Sequence, residues 1–239
     1  MSSTGVRDVS AVVFDFYGTV VDMQSGLTRA MAPYLAGKGY TANPPGRLVT
    51  WWRRTHFENS MIDALLHREH TPYRQIGFEA VDYTLERAGV PHTDAEVSAL
   101  VDEITRLDPF PDVVEALAAM KARGLRLCVL SNGDPDMLAA GVAHSGTGDL
   151  WERVLSVAEA GAFKPHRTTY EMAAARLGLA GDDILFVADH AFDCIGAKAA
   201  GLRTAFVDRR RRPFGNGRYL PDVTVADMAE LAALLTAPR

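Results

Sequence analysis

Asp15, Thr19, Ser131, Asn132, Lys164, Asp189, His190 and Asp193 are the residues whose types and positions in this chain suit chemistry. Asp15 closes the apolar run Val12-Val13-Phe14, so a buried strand would deliver its carboxylate to a loop at the strand's carboxyl end. A carboxylate there can act as a nucleophile, because a covalent ester divides one hard displacement into two easier steps. Gly18 permits a close approach of the backbone, and Thr19 adds a hydroxyl four residues on. Ser131 and Asn132, after the run Leu125 to Leu130, offer a hydroxyl, an amide and backbone N–H groups to an anion. Asp189, His190 and Asp193 follow the run Ile184 to Ala188 and put three ionisable groups in five positions, with His190 suited to general base or donor. Each residue also has a plainer reading. Asp15 and Ser131 suit caps, although Asp134 and Asp136 compete better to cap the helix after Ser131. The Asp189 to Asp193 cluster suits the start of a helix near Asp193, and Lys164 alone reads as a surface lysine before Pro165.

Positioning these clusters requires strands that end side by side. The fourth apolar run, Thr204 to Val207, follows the break at Gly201, and helical stretches lie at Val113 to Ala122, Met137 to His144, Thr168 to Leu177 and Cys194 to Ala200. Strand, polar loop and helix repeated in this way predict an α/β fold, a Rossmann-like doubly wound parallel sheet with ligands at the carboxyl ends of its strands. Residues 25–107 break the alternation. They are helical in pattern and carry Tyr34, Trp51, Trp52, Phe57, Tyr73, Phe78 and Tyr83. We expect a helical cap over residues 25–107, inserted into a core made of residues 1–24 and 108–239. Its aromatics suit the cap's own core or, less often, a homodimer face.

The chain has 239 residues, 48% apolar and 23% charged, which places it among ordinary globular proteins. With 25 basic against 30 acidic residues, it lacks the positive footprint of a general nucleic-acid binder, and the run Arg209 to Arg212 reads as a solvated loop. Cys128 and Cys194 lie in apolar stretches and read as buried free thiols. Met1 to Ser10 lacks a signal-peptide core and no run of 18 apolar residues occurs, so the expected location is cytoplasmic, away from the membrane. No His or Cys cluster has zinc spacing, and Gly178 and Gly181 do not form a dinucleotide loop.

In their order, Asp15-Phe16-Tyr17-Gly18-Thr19, Ser131-Asn132-Gly133, Lys164-Pro165 and Asp189 to Asp193 resemble the four motifs of the haloacid dehalogenase superfamily. The resemblance spans the chain and places the insert where that superfamily carries a cap. Superfamily phosphatases have a second Asp two residues after the nucleophile. Here that position is Tyr17, and Asp-x-Tyr-Gly-Thr is similar to the type II (S)-2-haloacid dehalogenases, which use no metal or other cofactor. Trp52-Arg53 resembles the pair whose Arg reaches the substrate carboxylate or departing halide; by register we choose Arg53 over Arg54. Tyr170 lies six residues after Lys164, as in that subgroup, and Phe192 stands where it often has Trp.

The resemblance implies hydrolysis of a short 2-haloalkanoate, a small-molecule carboxylate. Asp15 would displace halide with inversion and form an ester. Water near Asp193, with His190 assisting, would then open the ester to a 2-hydroxy acid. Thr19 and Lys164 would orient Asp15, while Phe16, Tyr17, Arg53, Ser131, Asn132, Tyr170 and Phe192 would hold the substrate. Two departures stand out in the last motif. Ala188 replaces a hydroxyl and His190 an Asn, and Asp189 falls where phosphatases bind magnesium. Alternatives are therefore a Mg²⁺-dependent phosphatase using Asp15 and Asp189, a hydrolase of another small carboxylate with a strained C–N bond, and a non-catalytic carboxylate-binding protein.

Overall fold

A computed structural model describes residues 5–66 and 69–237. The first four residues of the N-terminal stretch considered above lie outside the described residues. Six parallel strands form one sheet in the order β3-β2-β1-β4-β5-β6. They are β1 (Ala11–Phe14), β2 (Arg126–Ser131), β3 (Arg153–Ser156), β4 (Ile184–Ala188), β5 (Arg203–Val207) and β6 (Val223–Val225). The sheet is the doubly wound α/β fold that the sequence predicts. β1 lies at its centre, between β2 and β4, and all four of its residues are fully buried. That is why it reads as a continuous apolar run and not as an alternation. The chain winds from β1 to β3 on one side and from β4 to β6 on the other. The carboxyl ends of β1, β2 and β4 therefore meet at the reversal, the place where such sheets bind ligands.

Two strands and one helix were not among the expected elements. β3 begins with exposed Arg153 and Val154, and β6 has three residues at a sheet edge, so neither presents a long apolar run. The helix Met228–Thr236 packs on the helix Val113–Ala122.

Between β1 and β2 the chain forms α1 (Met23–Gly37), α2 (Pro45–Leu66), α3 (Tyr73–Ala88) and α4 (Asp94–Asp102), each packed on the next. α4 is held at its start by a capping box between Thr93 and Glu96. α3 begins after Pro72, which has no side chain able to cap it. Its first two amides, of Tyr73 and Arg74, donate instead to the two carboxylate oxygens of Asp134, each at 2.9 Å. Asp134 therefore caps a helix distant in sequence and makes no side-chain cap bond to α5 (Pro135–His144), the helix it was expected to cap. This contact ties α3 to the loop after β2. The path out of β1 and the path back run side by side: Asp22 N donates to Asp108 O at 2.9 Å and Phe110 N to Val20 O at 3.0 Å. Trp52 is fully buried and Tyr73 nearly so, whereas Tyr83 is about half exposed. Cys128 and Cys194 are free and buried, as expected. Among the described residues, no helix is long and apolar enough to cross a membrane.

Candidate active site

The polar residues at the ends of β1, β2 and β4 converge on a cavity of about 280 Å³ under α2 and α3. Asp15 follows β1, and its amide donates to Val187 O of β4 at 3.0 Å. Its carboxylate is almost wholly buried and is held from three sides. Thr19 Oγ1 donates to Oδ2 at 2.7 Å, Lys164 Nζ donates to Oδ1 at 2.8 Å, and His190 Nδ1 lies 3.8 Å from Oδ2. Burial pushes the Asp15 carboxyl up, but the charge of Lys164 and the contact with His190 prevail and hold it well below the ordinary carboxylate range. Thr19 also accepts from Asp189 N at 3.0 Å, so one hydroxyl fixes the β1 and β4 loops together. Gly18 sits at φ +90°, and a Cβ there would come within 2.7 Å of His190 Cε1, so both its backbone and the imidazole require glycine.

Lys164 is 1% exposed, not the surface lysine its sequence position alone suggests. Nζ donates to Asp15 Oδ1, to Leu130 O at 3.0 Å and to Asp193 Oδ2 at 2.6 Å, which uses all three ammonium donors. Tyr170 OH donates to Asp193 Oδ1 at 2.6 Å. Asn132 Oδ1 accepts from Lys164 N at 3.0 Å, so its NH₂ is the end left for a ligand.

Three of the expected site residues stand behind the cavity wall. Asp193, expected beside the hydrolytic water, is 1% exposed and does not line the cavity, because Lys164 and Tyr170 take its two oxygens from behind. Tyr170, expected at the substrate, lies in that same layer. The Phe16 side chain is fully buried and faces Gly141 of α5 and the Tyr17 ring, away from the cavity. Tyr17, Arg53, Ser131, Asn132, Lys164, His190 and Phe192 do stand on the wall with Asp15.

The wall also includes Arg54 and two residues not singled out from the sequence, His56 and Ser60. With Arg53 and Phe57 they fall at i, i+3, i+4 and i+7 of α2, a spacing that could have found them beside Arg53. Tyr73 stacks on Tyr17, with centroids 5.7 Å apart and planes at 3°, and Phe57 packs on Phe192 at 4.4 Å. Arg53 donates to Gln24 Oε1 at 2.9 Å, while Arg54 turns outward to Glu58. The basic run is only partly the solvated loop expected. Arg209 is mostly buried, pairs with Asp112 and lies over the Phe110 ring; Arg210 lines the cavity and pairs with Asp189.

The donor set does not fit a magnesium ion. Lys164 holds Asp15 Oδ1 and the Arg210 guanidinium faces Asp189 Oδ2 at 3.1 Å, which leaves Asp189 Oδ1 as the one unpartnered carboxylate oxygen of the pair. Among the described residues no group of three or more acidic, His or Cys side chains could hold a metal ion. Burial also pushes the Tyr17 phenol well above its ordinary range, and so removes it as an acid for a leaving alcohol.

A family model of haloacid dehalogenase-like hydrolases matches residues 9–201. The chain belongs to that family. It is 34% identical to an (S)-2-haloacid dehalogenase of Xanthobacter autotrophicus over 95% of this chain and 85% of that protein. It is 30% identical to haloacetate dehalogenase H-2 of Moraxella sp. (strain B) over 96% of this chain and 99% of that one. Among solved structures, the L-2-haloacid dehalogenase of Xanthobacter autotrophicus with chloropropionic acid covalently bound superposes with a TM-score of 0.85 at 29% identity, covering 97% of this chain and all of the other.

Proposed function

We propose that this chain hydrolyses short 2-haloalkanoic acids to 2-hydroxy acids through an ester on Asp15, with inversion at the reacting carbon. The observation that carries the reading is the state of Asp15: a buried, ionised carboxylate anchored through both oxygens and facing a small cavity roofed by aromatic rings. An ionised oxygen in a nearly dry site is a strong nucleophile toward carbon. The names of the relatives support the same substrate class, haloacetate in one case and (S)-2-haloacids in others.

In the first step Asp15 forms a C–O bond as the carbon–halogen bond breaks, and the electron pair leaves with the halide. Ser131, the Asn132 NH₂ and nearby backbone N–H groups hold the substrate carboxylate. Arg53, reaching from α2, receives the halide or assists the carboxylate through its forked guanidinium. Phe57 and Phe192 exclude water from the leaving group. In the second step water adds to the ester carbonyl of Asp15. Lys164 stabilises the oxyanion that develops there. The bond between Asp15 Cγ and the ester oxygen then breaks, that oxygen takes a proton and leaves as the hydroxyl of the 2-hydroxy acid, and the oxygen from water stays on the restored Asp15 carboxylate. His190, on the wall 3.8 Å from Asp15, is the group nearest that water, whereas Asp193 and Tyr170 fix Lys164 from behind. We read residues 25–107 as the cap that closes this cavity and residues 1–24 with 108–239 as the core that carries the nucleophile. The mechanism uses no metal.

Chloride release from (S)- and (R)-2-chloropropionate, each with EDTA and with added Mg²⁺, tests the proposal. Release from the (S) form alone that survives EDTA is expected. No release from either, with Mg²⁺-dependent cleavage of p-nitrophenyl phosphate, would replace this reading with a phosphatase.

A further inference from the structure

The reaction cavity adjoins a second cavity of about 490 Å³, and the two share Met23, Arg53 and Arg210 as a common wall. Among the described residues, Arg53, Arg209, Arg210 and Arg212 line the second cavity against two carboxylates, Asp22 and Asp189. Asp22 is engaged by the first turn of α1 and Asp189 Oδ2 by Arg210, while Asp189 Oδ1 is buried without a hydrogen-bond partner. Arg209 spends one nitrogen on Asp112, and its Nε and Nη2 are buried without a hydrogen-bond partner. A monocarboxylate bound at Ser131 and Asn132, with its halide at Arg53, leaves the free Arg209 nitrogens and Arg212 without an anion. A cleft lined by one sign of charge concentrates ligands of the other sign, and guanidinium forks match planar carboxylates.

Resting on the dehalogenase reading above, we propose that the second cavity receives a second carboxylate of the substrate, so that this chain's substrates include 2-halodicarboxylates. The first carboxylate and the halogen occupy the reaction cavity, and the distal carboxylate reaches past Arg53 to Arg210 and Arg212. Burial and the charge of Arg210 both push the Arg53 guanidinium below its ordinary range, a strain that an anion seated between the two would relieve. The chemistry is unchanged: an Asp15 oxygen displaces halide, water opens the ester, and a 2-hydroxydicarboxylate leaves.

The test compares kcat/KM for (S)-2-chlorosuccinate with that for (S)-2-chloro-4-methylpentanoate, whose isopropyl end is a near-isostere of the distal carboxylate. (S)-2-chloropropionate serves as reference, and chloride is measured against enzyme-free blanks. The intact chain is expected to favour the dicarboxylate by about tenfold or more, and R212M and R210M are each expected to bring the ratio toward one. Arg212 lies on an exposed loop, so R212M keeps the test open if R210M, which strips Asp189 of its partner, does not fold. A ratio at or below one in the intact chain, or a ratio that R212M leaves unchanged, overturns the inference while chloropropionate turnover keeps the dehalogenase reading intact. No chloride from chloropropionate removes both.

Discussion

Lys164 bridges two buried carboxylates, Asp15 and Asp193. Its removal therefore costs more than the hydrogen bonds it makes. Lys164→Met leaves Asp15 and Asp193 buried without a cation, and we expect a loss of about 3–5 kcal/mol in urea unfolding. Tyr170→Phe removes a single donor from Asp193 and is expected to cost roughly 1–3 kcal/mol. Asp15→Asn relieves the charge and keeps the fold, but it lowers chloride release by roughly three orders of magnitude or more, measured against the intact chain in one assay. At this scale the sequence was legible wherever a chemical group ends a strand. Asp15, Ser131, Asn132 and His190 could be named because β1, β2 and β4 are apolar runs with abrupt polar ends. Which groups touch the cavity and which stand behind them was not legible. Asp193 and His190 are three residues apart on one turn, and only the packing of Lys164 and Tyr170 decides that His190 faces the substrate space and Asp193 does not.

α2 brings two adjacent arginines to the cavity wall, and they differ in how far they turn inward. Arg53 is drawn inward to Gln24, whereas Arg54 is mostly exposed and pairs with Glu58 one turn on. Arg53→Ala is expected to raise KM for (S)-2-chloropropionate by roughly one to two orders of magnitude, and Arg54→Ala to leave it within about twofold. The reverse result would place the register of α2 one residue off. A second packing requirement links two other helices. A Cβ on Gly196, in the helix Ala191–Ala199, would come within 2.6 Å of Tyr170 OH and 2.7 Å of Pro165 Cβ. The strands that bear the site were legible as apolar runs with abrupt polar ends, and the helices as the longer segments between them. The contributions of α3 and of the loop after β5 were not, because Tyr73 and Arg210 reach the cavity through the Asp134 cap and the Asp189 pair, contacts between residues remote in sequence.

The acid sensitivity of the whole molecule should be set in part by His56, which is buried between α2 and α3 with neither ring nitrogen hydrogen-bonded. Burial pushes its imidazole from 6.5 to about 3. The unfolded chain binds the proton more readily, so stability is full above pH 6.5 and falls as the pH drops toward 3, by about 2 kcal/mol between pH 6.5 and pH 5. His56→Gln should flatten that slope in thermal unfolding measured across the same range; an unchanged slope would mean that His56 is not its source. The sheet order was the least legible feature at this scale, since strand type can be read from a run of residues but its neighbours cannot. The clasp between Val20–Asp22 and Asp108–Phe110 bears on how that order is reached. β1 pairs with β2 across 115 positions, Ala11 with Arg126, and contacts so remote make a chain search slowly for its native pairing. Helices α1 to α4 interact mainly with their sequence neighbours. Once they assemble, their two ends emerge side by side, and the distance that β1 and β2 must search shrinks to the few residues outside the clasp. The insertion that lengthens the loop on paper thus shortens it in time, and slow refolding in this chain should track damage to the helices more than damage to the strands.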